Sequence, residues 1–103
     1  MDAVLHALAE PNRRTILQLV AKQELNAGQI AAKFTITRPA VSQHLSVLKE
    51  AKLIRERREG TQRFYQTSAE GLQELREYLE GFWEEHLNNL KLAIQTEPKK
   101  EAP

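Results

Sequence analysis

Arg38, Ser42, Gln43, Ser46 and Lys49 are spread over about three helical turns, at spacings that place them on the outer face of a single helix. Their chemistry is recognition. Gln43 can bond adenine bidentately, Ser42 and Ser46 bond less selectively, and Arg38 can read guanine or hold a phosphate beside Lys49. A second group, Arg57, Arg58, Gln62 and Arg63, flanks Gly60-Thr61 and offers cations to a nucleic-acid backbone. Catalysis finds little support. His6, His44 and His86 lie on three separate helical segments, with no glycine-rich phosphate loop and no close pair of His ligands, and the chain has no cysteine. That also excludes a disulfide, a thiolate zinc site and a thiol redox switch. No enzyme, cofactor or metal is expected.

These residues need a scaffold, and the stretch from Asn26 to Glu50 supplies its centre. Ile30, Ala31 and Phe34 share one helical face, as do Val41, Leu45 and Leu48, and the residues between can continue neither helix. Asn26 and Thr37 are suited to cap the two starts, and Pro39 sits in the first turn of the second, where a missing N–H costs little. The pair reads as a helix-turn-helix. Before it, residues 2 to 9 form a short helical candidate with Val4, Leu5 and Leu8 on one face, and Pro11 opens a helix to about Lys22 with Ile16, Leu17, Leu19 and Val20 for the core. Arg13 and Arg14 begin that helix; one of them is expected at a phosphate or, at least as readily, in a solvated or salt-bridged role. Glu24 to Gly28 is read as a connection.

After Glu50 the period changes to that of strands. Leu53 to Glu59 and Gln62 to Thr67, separated by Gly60-Thr61, form a hairpin, and a basic hairpin beside a helix-turn-helix is a wing. Ser68 then caps one long helix from about Ala69 to Gln95, some 40 Å at 1.5 Å per residue, longer than a small core requires. Its apolar stripe includes Leu72, Leu75, Leu79, Phe82, Trp83, Leu87, Leu90 and Ile94. Part of the stripe would be bare in a single copy, so a symmetric dimer is expected through Val4, Leu5 and Leu8 of the first helix and Leu79, Phe82, Trp83, His86, Leu87 and Leu90 of the last. The fold class is mainly α with a small β-hairpin, in the order α-α-α-α-β-β-α. One domain spans 1–95, and 96–103 is a loose tail.

At 103 residues with 41% hydrophobic and 28% charged residues, the chain has the composition of one globular domain. No apolar run is long enough to cross a bilayer and no signal peptide opens it, which points to the cytoplasm. The net charge of +1 conceals a division. Lys33 to Gln66 carries eight Lys/Arg against three Glu, a net of +5, whereas Thr67 to Gln95 carries six Glu against two cations, a net of −4. One side of such a molecule can face DNA. A winged-helix protein-interaction module is the alternative from a different class, against which the basic wing argues.

With that order assembled, the sequence resembles the ArsR family of bacterial winged-helix repressors, through LAEPNRRTIL (8–17), ITRPAVSQHLSVLKEAKLI (36–54) and REGTQRFYQTSAEGLQEL (58–75). The resemblance covers about residues 4 to 94. It implies a homodimer on an inverted-repeat operator of double-stranded DNA, with Arg38 to Lys49 as recognition helix and Ser42, Gln43 and His44 near the bases. The DNA-facing set is thus Arg38, Pro39, Ser42, Gln43, His44, Ser46 and Lys49, with Arg57, Arg58, Gln62 and Arg63 on the wing. Two departures follow. Thr35 stands where relatives often carry glycine, so the turn is expected to be shaped differently. The family's cysteine metal site is impossible here, and a site on the last helix would have only His86, Glu84 and Glu85, with His6 of a second copy within conceivable reach. The chain resembles the metal-independent branch, whose members repress constitutively, repress their own operon, or answer to a partner protein; the inducer or partner is left open.

Overall fold

Four helix starts are fixed by side chains that accept otherwise unpaired backbone N–H groups. Glu10 accepts from Arg13 N, Thr37 from Ala40 N and Ser68 from Glu70 N, while Asn26 and Gln29 cap each other's backbone in a capping box. The computed structural model describes residues 1–96, apart from the side chains of Leu87, Asn88, Gln95 and Thr96. The elements are α1 (Asp2–Leu8), α2 (Pro11–Lys22), β1 (Leu25–Asn26), α3 (Ala27–Ala31), α4 (Arg38–Glu50), β2 (Ile54–Glu59), β3 (Gln62–Thr67), α5 (Ala69–Phe82), a π-helical turn (Trp83–Leu87) and α6 (Asn88–Thr96). Thr96, expected in the tail, closes α6 instead, and 97–103, the rest of the expected tail, lie outside the described residues.

The hairpin of β2 and β3 pairs Ile54 with Thr67 through Glu59 with Gln62. Its two-residue loop has positive φ at Gly60 alone, the position at which a II′ turn carries glycine. The connection read across Glu24 to Gly28 is in part a strand: Leu25 and Asn26 pair with Tyr65 and Phe64, giving an antiparallel sheet of order β1-β3-β2. Two residues are too few to show a period, so only the pairing reveals it. Ile16, Val20, Ile30, Val41, Leu48 and Leu53 are fully buried between the sheet and helices α1 to α4. Val4 joins them at 1% exposure, which corrects its assignment to a dimer surface: the residue faces inward because α1 is held on its own protomer's core.

That hold is made by Arg13. Its guanidinium is buried, with Nε donating to Ala7 O at 2.8 Å and Nη2 to His6 O at 3.1 Å, so it satisfies the last carbonyls of α1. Arg14 reaches Leu8 O at 2.7 Å. Neither phosphate nor solvent claims Arg13, contrary to expectation, because orphan carbonyls at a helix end are a nearer partner for a cation.

The α3–α4 turn does not place Thr35 at positive φ; among described non-glycine residues only Lys52 is there, at 61°. A turn needing no left-handed residue needs no glycine. Lys52 instead closes α4. Leu53 N donates to Leu48 O and Lys52 N to Lys49 O, both at 3.0 Å, the bond pair of a Schellman motif, with Leu48 and Leu53 buried against one another's turn. Lysine in this conformation costs about 1 kcal/mol relative to glycine. Lys52→Gly should therefore raise stability by roughly that amount in denaturant titration; a lower midpoint would mean that the Lys52–Glu70 ion pair at 3.3 Å outweighs the strain.

Beyond Leu75 the last helix leaves the core. The radius of gyration is 18.4 Å and the long axis 61 Å, against about 13 Å for a compact chain of this length. The single long helix expected is interrupted by the π turn at Trp83–Leu87, which shifts the phase of the apolar stripe that follows. Leu79, Phe82, Trp83, Leu90 and Ile94 are exposed, together with Tyr78, Leu92 and, on α1, Leu5; Leu8 is half-buried on the core.

Candidate nucleic-acid interface

Helix α4 buries Val41, Leu45 and Leu48, and the same periodicity turns Arg38, Pro39, Ser42, Gln43, Ser46 and Lys49 outward, all exposed. His44 departs from this set. Its side chain is 16% exposed, with Nδ1 3.3 Å from Arg13 Nη1 and Nε2 3.7 Å from Glu10 Oε2. It packs on the start of α2 and not on the outer face, where the resemblance put it near the bases. Since arginine only donates, Nδ1 must accept, and the ring proton then sits on Nε2 toward Glu10. His44 links α4 to α2 and, through Arg13, to α1.

The wing divides by strand alternation into two faces. Arg58 and Arg63, directly opposite one another, share a face with Glu56 and Tyr65 and look toward α4. Like charges placed opposite repel unless something anionic answers them. Arg57 projects from the other face, contrary to expectation. Its Nε and Nη2 bind Glu24 at 2.9 and 2.7 Å, Nη1 binds Glu59 at 2.8 Å, and the guanidinium lies 4.9 Å over the Phe64 ring. These hydrogen bonds raise its pKa further, so it is a permanent cation already occupied by two carboxylates.

Between α4, the start of α3 and β3 lies a polar cleft of about 440 Å³, lined by Arg38, Ser42, Gln62, Arg63 and Tyr65 with Asn26 to Gly28. Gln62 Oε1 accepts from Asn26 Nδ2 at 3.4 Å. A smaller cleft continues along Ser42, Ser46, Lys49, Glu56, Arg63 and Tyr65. Glu56 and Tyr65 are the residues that sequence reasoning missed. The signal for Glu56 was available: it lies two residues from buried Ile54, hence on the inward face of β2. The hydrogen bond from Lys49 holds the Glu56 carboxyl below its ordinary value of 4.5, against burial, and Arg57 does the same for Glu24. A carboxylate lowered on folding stabilises above its unfolded value, so both contributions are present above pH 4.5 and fade as the pH falls through the lower folded value.

The geometry is that of a winged helix-turn-helix, and comparison with known proteins agrees. Residues 10–56 match the family described as bacterial regulatory protein, arsR family. The HTH-type transcriptional regulator Rv2034 of Mycobacterium tuberculosis is 42% identical over 96 residues, covering 93% of this chain and 90% of the relative. The chain belongs to the arsR family. This arsR member is therefore a DNA-binding transcriptional regulator and not an enzyme. The transcriptional repressor SdpR of Bacillus subtilis is 38% identical, covering 72% of this chain and 82% of its own. The homodimeric winged helix-turn-helix DNA-binding domain of Mb0332 from Mycobacterium bovis superposes with a TM-score of 0.65 at 32% identity, covering 84% of this chain and 80% of that domain.

Among the described residues, no group of three or more His, Asp or Glu is placed to hold a metal, and no helix is long and apolar enough to cross a membrane. His86 packs against Phe82 with centroids 4.8 Å apart and the rings tilted at 50°, and lies 3.6 Å from Glu85, while His6 is exposed on α1.

Proposed function

We propose that this arsR member is a cytoplasmic homodimer that binds an inverted-repeat operator and represses its own or a neighbouring operon. The observation that carries the reading is the exposed polar face of α4, set beside a wing whose Arg58 and Arg63 share the strand face on which Glu56 meets Lys49 of α4. On this reading Gln43, Ser42 and Ser46 meet base edges, and Arg38, Lys49, Arg58, Arg63 and Gln62 hold the backbone. Pro39 starts the helix at the groove. Two such helices about 34 Å apart enter successive major grooves on one face of the duplex. The bare apolar face of α5, with Leu5 of α1, supplies the surface through which two copies pair; the side chain of Leu87, assigned to the same surface, lies outside the described residues. An inducer or partner protein acting on this dimer would be the signal.

The test is base readout. Gln43→Ala should cost roughly 1–3 kcal/mol of discrimination at one base pair of a selected operator. Titrations of operator and single-substitution duplexes measure it. Equal loss on operator and scrambled DNA would remove Gln43 from the reading face.

A further inference from the structure

Within the cationic face toward DNA sits one carboxylate whose two oxygens are divided between elements. Glu56 Oε1 lies 2.6 Å from Lys49 Nζ at the end of α4, and Oε2 lies 3.1 Å from Arg63 Nε on β3. The Glu56 side chain is 15% exposed, whereas Lys49 and Arg63 are about half exposed, at 50% and 51%. The anion is therefore beneath and the cations above, at the cleft. Exposed ion pairs contribute about 0–1 kcal/mol, so stability is a weak reason for an anion where phosphates must approach. A cation already matched by a carboxylate also gains less from a phosphate and releases less counterion on meeting one.

Resting on the DNA-binding reading above, we propose that Glu56 is a specificity-determining positioning residue. It holds Lys49 and Arg63 as one fixed pair, so that their charge reaches phosphates only on DNA whose backbone runs where base readout by α4 puts it. On other sequences the pair stays closed on Glu56, and non-specific affinity stays low. Arg57, bound on the back of the wing, takes no part.

The experiment measures binding to a duplex selected by the wild-type protein and to a scrambled duplex, over a series of salt concentrations. Glu56→Gln keeps the shape and an acceptor but removes the charge. On scrambled DNA its slope of log K against log salt should steepen by about one to two, with affinity raised on the order of tenfold, because two cations are released to phosphates at about 0.9 per contact. Operator affinity should rise less, so the specificity ratio falls. Arg63→Gln, in an otherwise native chain, should leave the scrambled slope as it is and flatten the operator slope by about one; this arm stands even if Glu56→Gln folds poorly. Arg57→Ala should alter neither slope. An unchanged scrambled slope in Glu56→Gln, or equal flattening on both duplexes in Arg63→Gln, overturns the role of Glu56. A wild-type protein that does not distinguish the two duplexes instead overturns the proposed function itself.

Discussion

Leu79→Asp is expected to give a monomer in sedimentation and to lower operator affinity by roughly 10²–10⁴-fold, the gain that linking two reading heads confers. Leu79 is 49% exposed and lines an apolar groove with Leu72, Leu75 and Trp83, bordered by Arg76 and Glu80. In an isolated protomer an aspartate there is solvated, so circular dichroism and the fold of the DNA-binding half should hardly change. In a paired interface the same carboxylate loses its water without gaining a partner, a penalty of several kcal/mol on each side of the twofold axis. The asymmetry between those two costs makes the substitution diagnostic. A variant that still sediments as a dimer would relocate the interface away from this stretch of α5.

The elements most legible in the sequence were those whose signals are local. Asn26, Thr37 and Ser68 cap helices, as expected, and Gly60 makes the hairpin turn, because capping and turn chemistry depend on neighbours within a few residues. The outer face of α4 emerged for the same reason, since one helical period fixes both faces. What escaped was decided at a distance. Arg13 could not be paired with the α1 carbonyls before α1 was docked, and although alternation from Ile54 already sets Arg57 on the face opposite Glu56, its partner Glu24, 33 residues earlier, could not be seen before the fold brought the two together. His44 shows the limit within a single helix: its position in sequence lies next to Gln43, yet 100° of rotation carries it toward α2. The π turn at Trp83–Leu87 has no sequence signal comparable to a proline, and it displaces the apolar stripe that a straight helix would continue.

The joint between α5 and the end of α4 should be most sensitive at Gly71. A Cβ built there would lie 2.6 Å from Ala51 O and 2.8 Å from Lys52 O, and Gly71 N donates to Lys52 O at 2.8 Å. Both obstructing atoms are backbone carbonyls, fixed by the Schellman closure of α4, so neither can swing aside as a side chain would. Gly71→Ala must push the start of α5 away from the end of α4, lengthening that hydrogen bond and unpacking Leu72 and Leu75 from the core. A loss near the upper end of the usual 1–3 kcal/mol for overpacking is expected, and at about 4–8 °C per kcal/mol for a domain of this size the fall in melting temperature should be large. Gly81 is the matched control. It lies in the same helix with nothing within 4 Å of its virtual Cβ, so Gly81→Ala should gain up to about 1 kcal/mol of helix propensity. Melting both variants at one protein concentration keeps dimerisation from confusing the comparison. If Gly71→Ala melts with the wild-type protein, α5 is not seated on the α4 carbonyls.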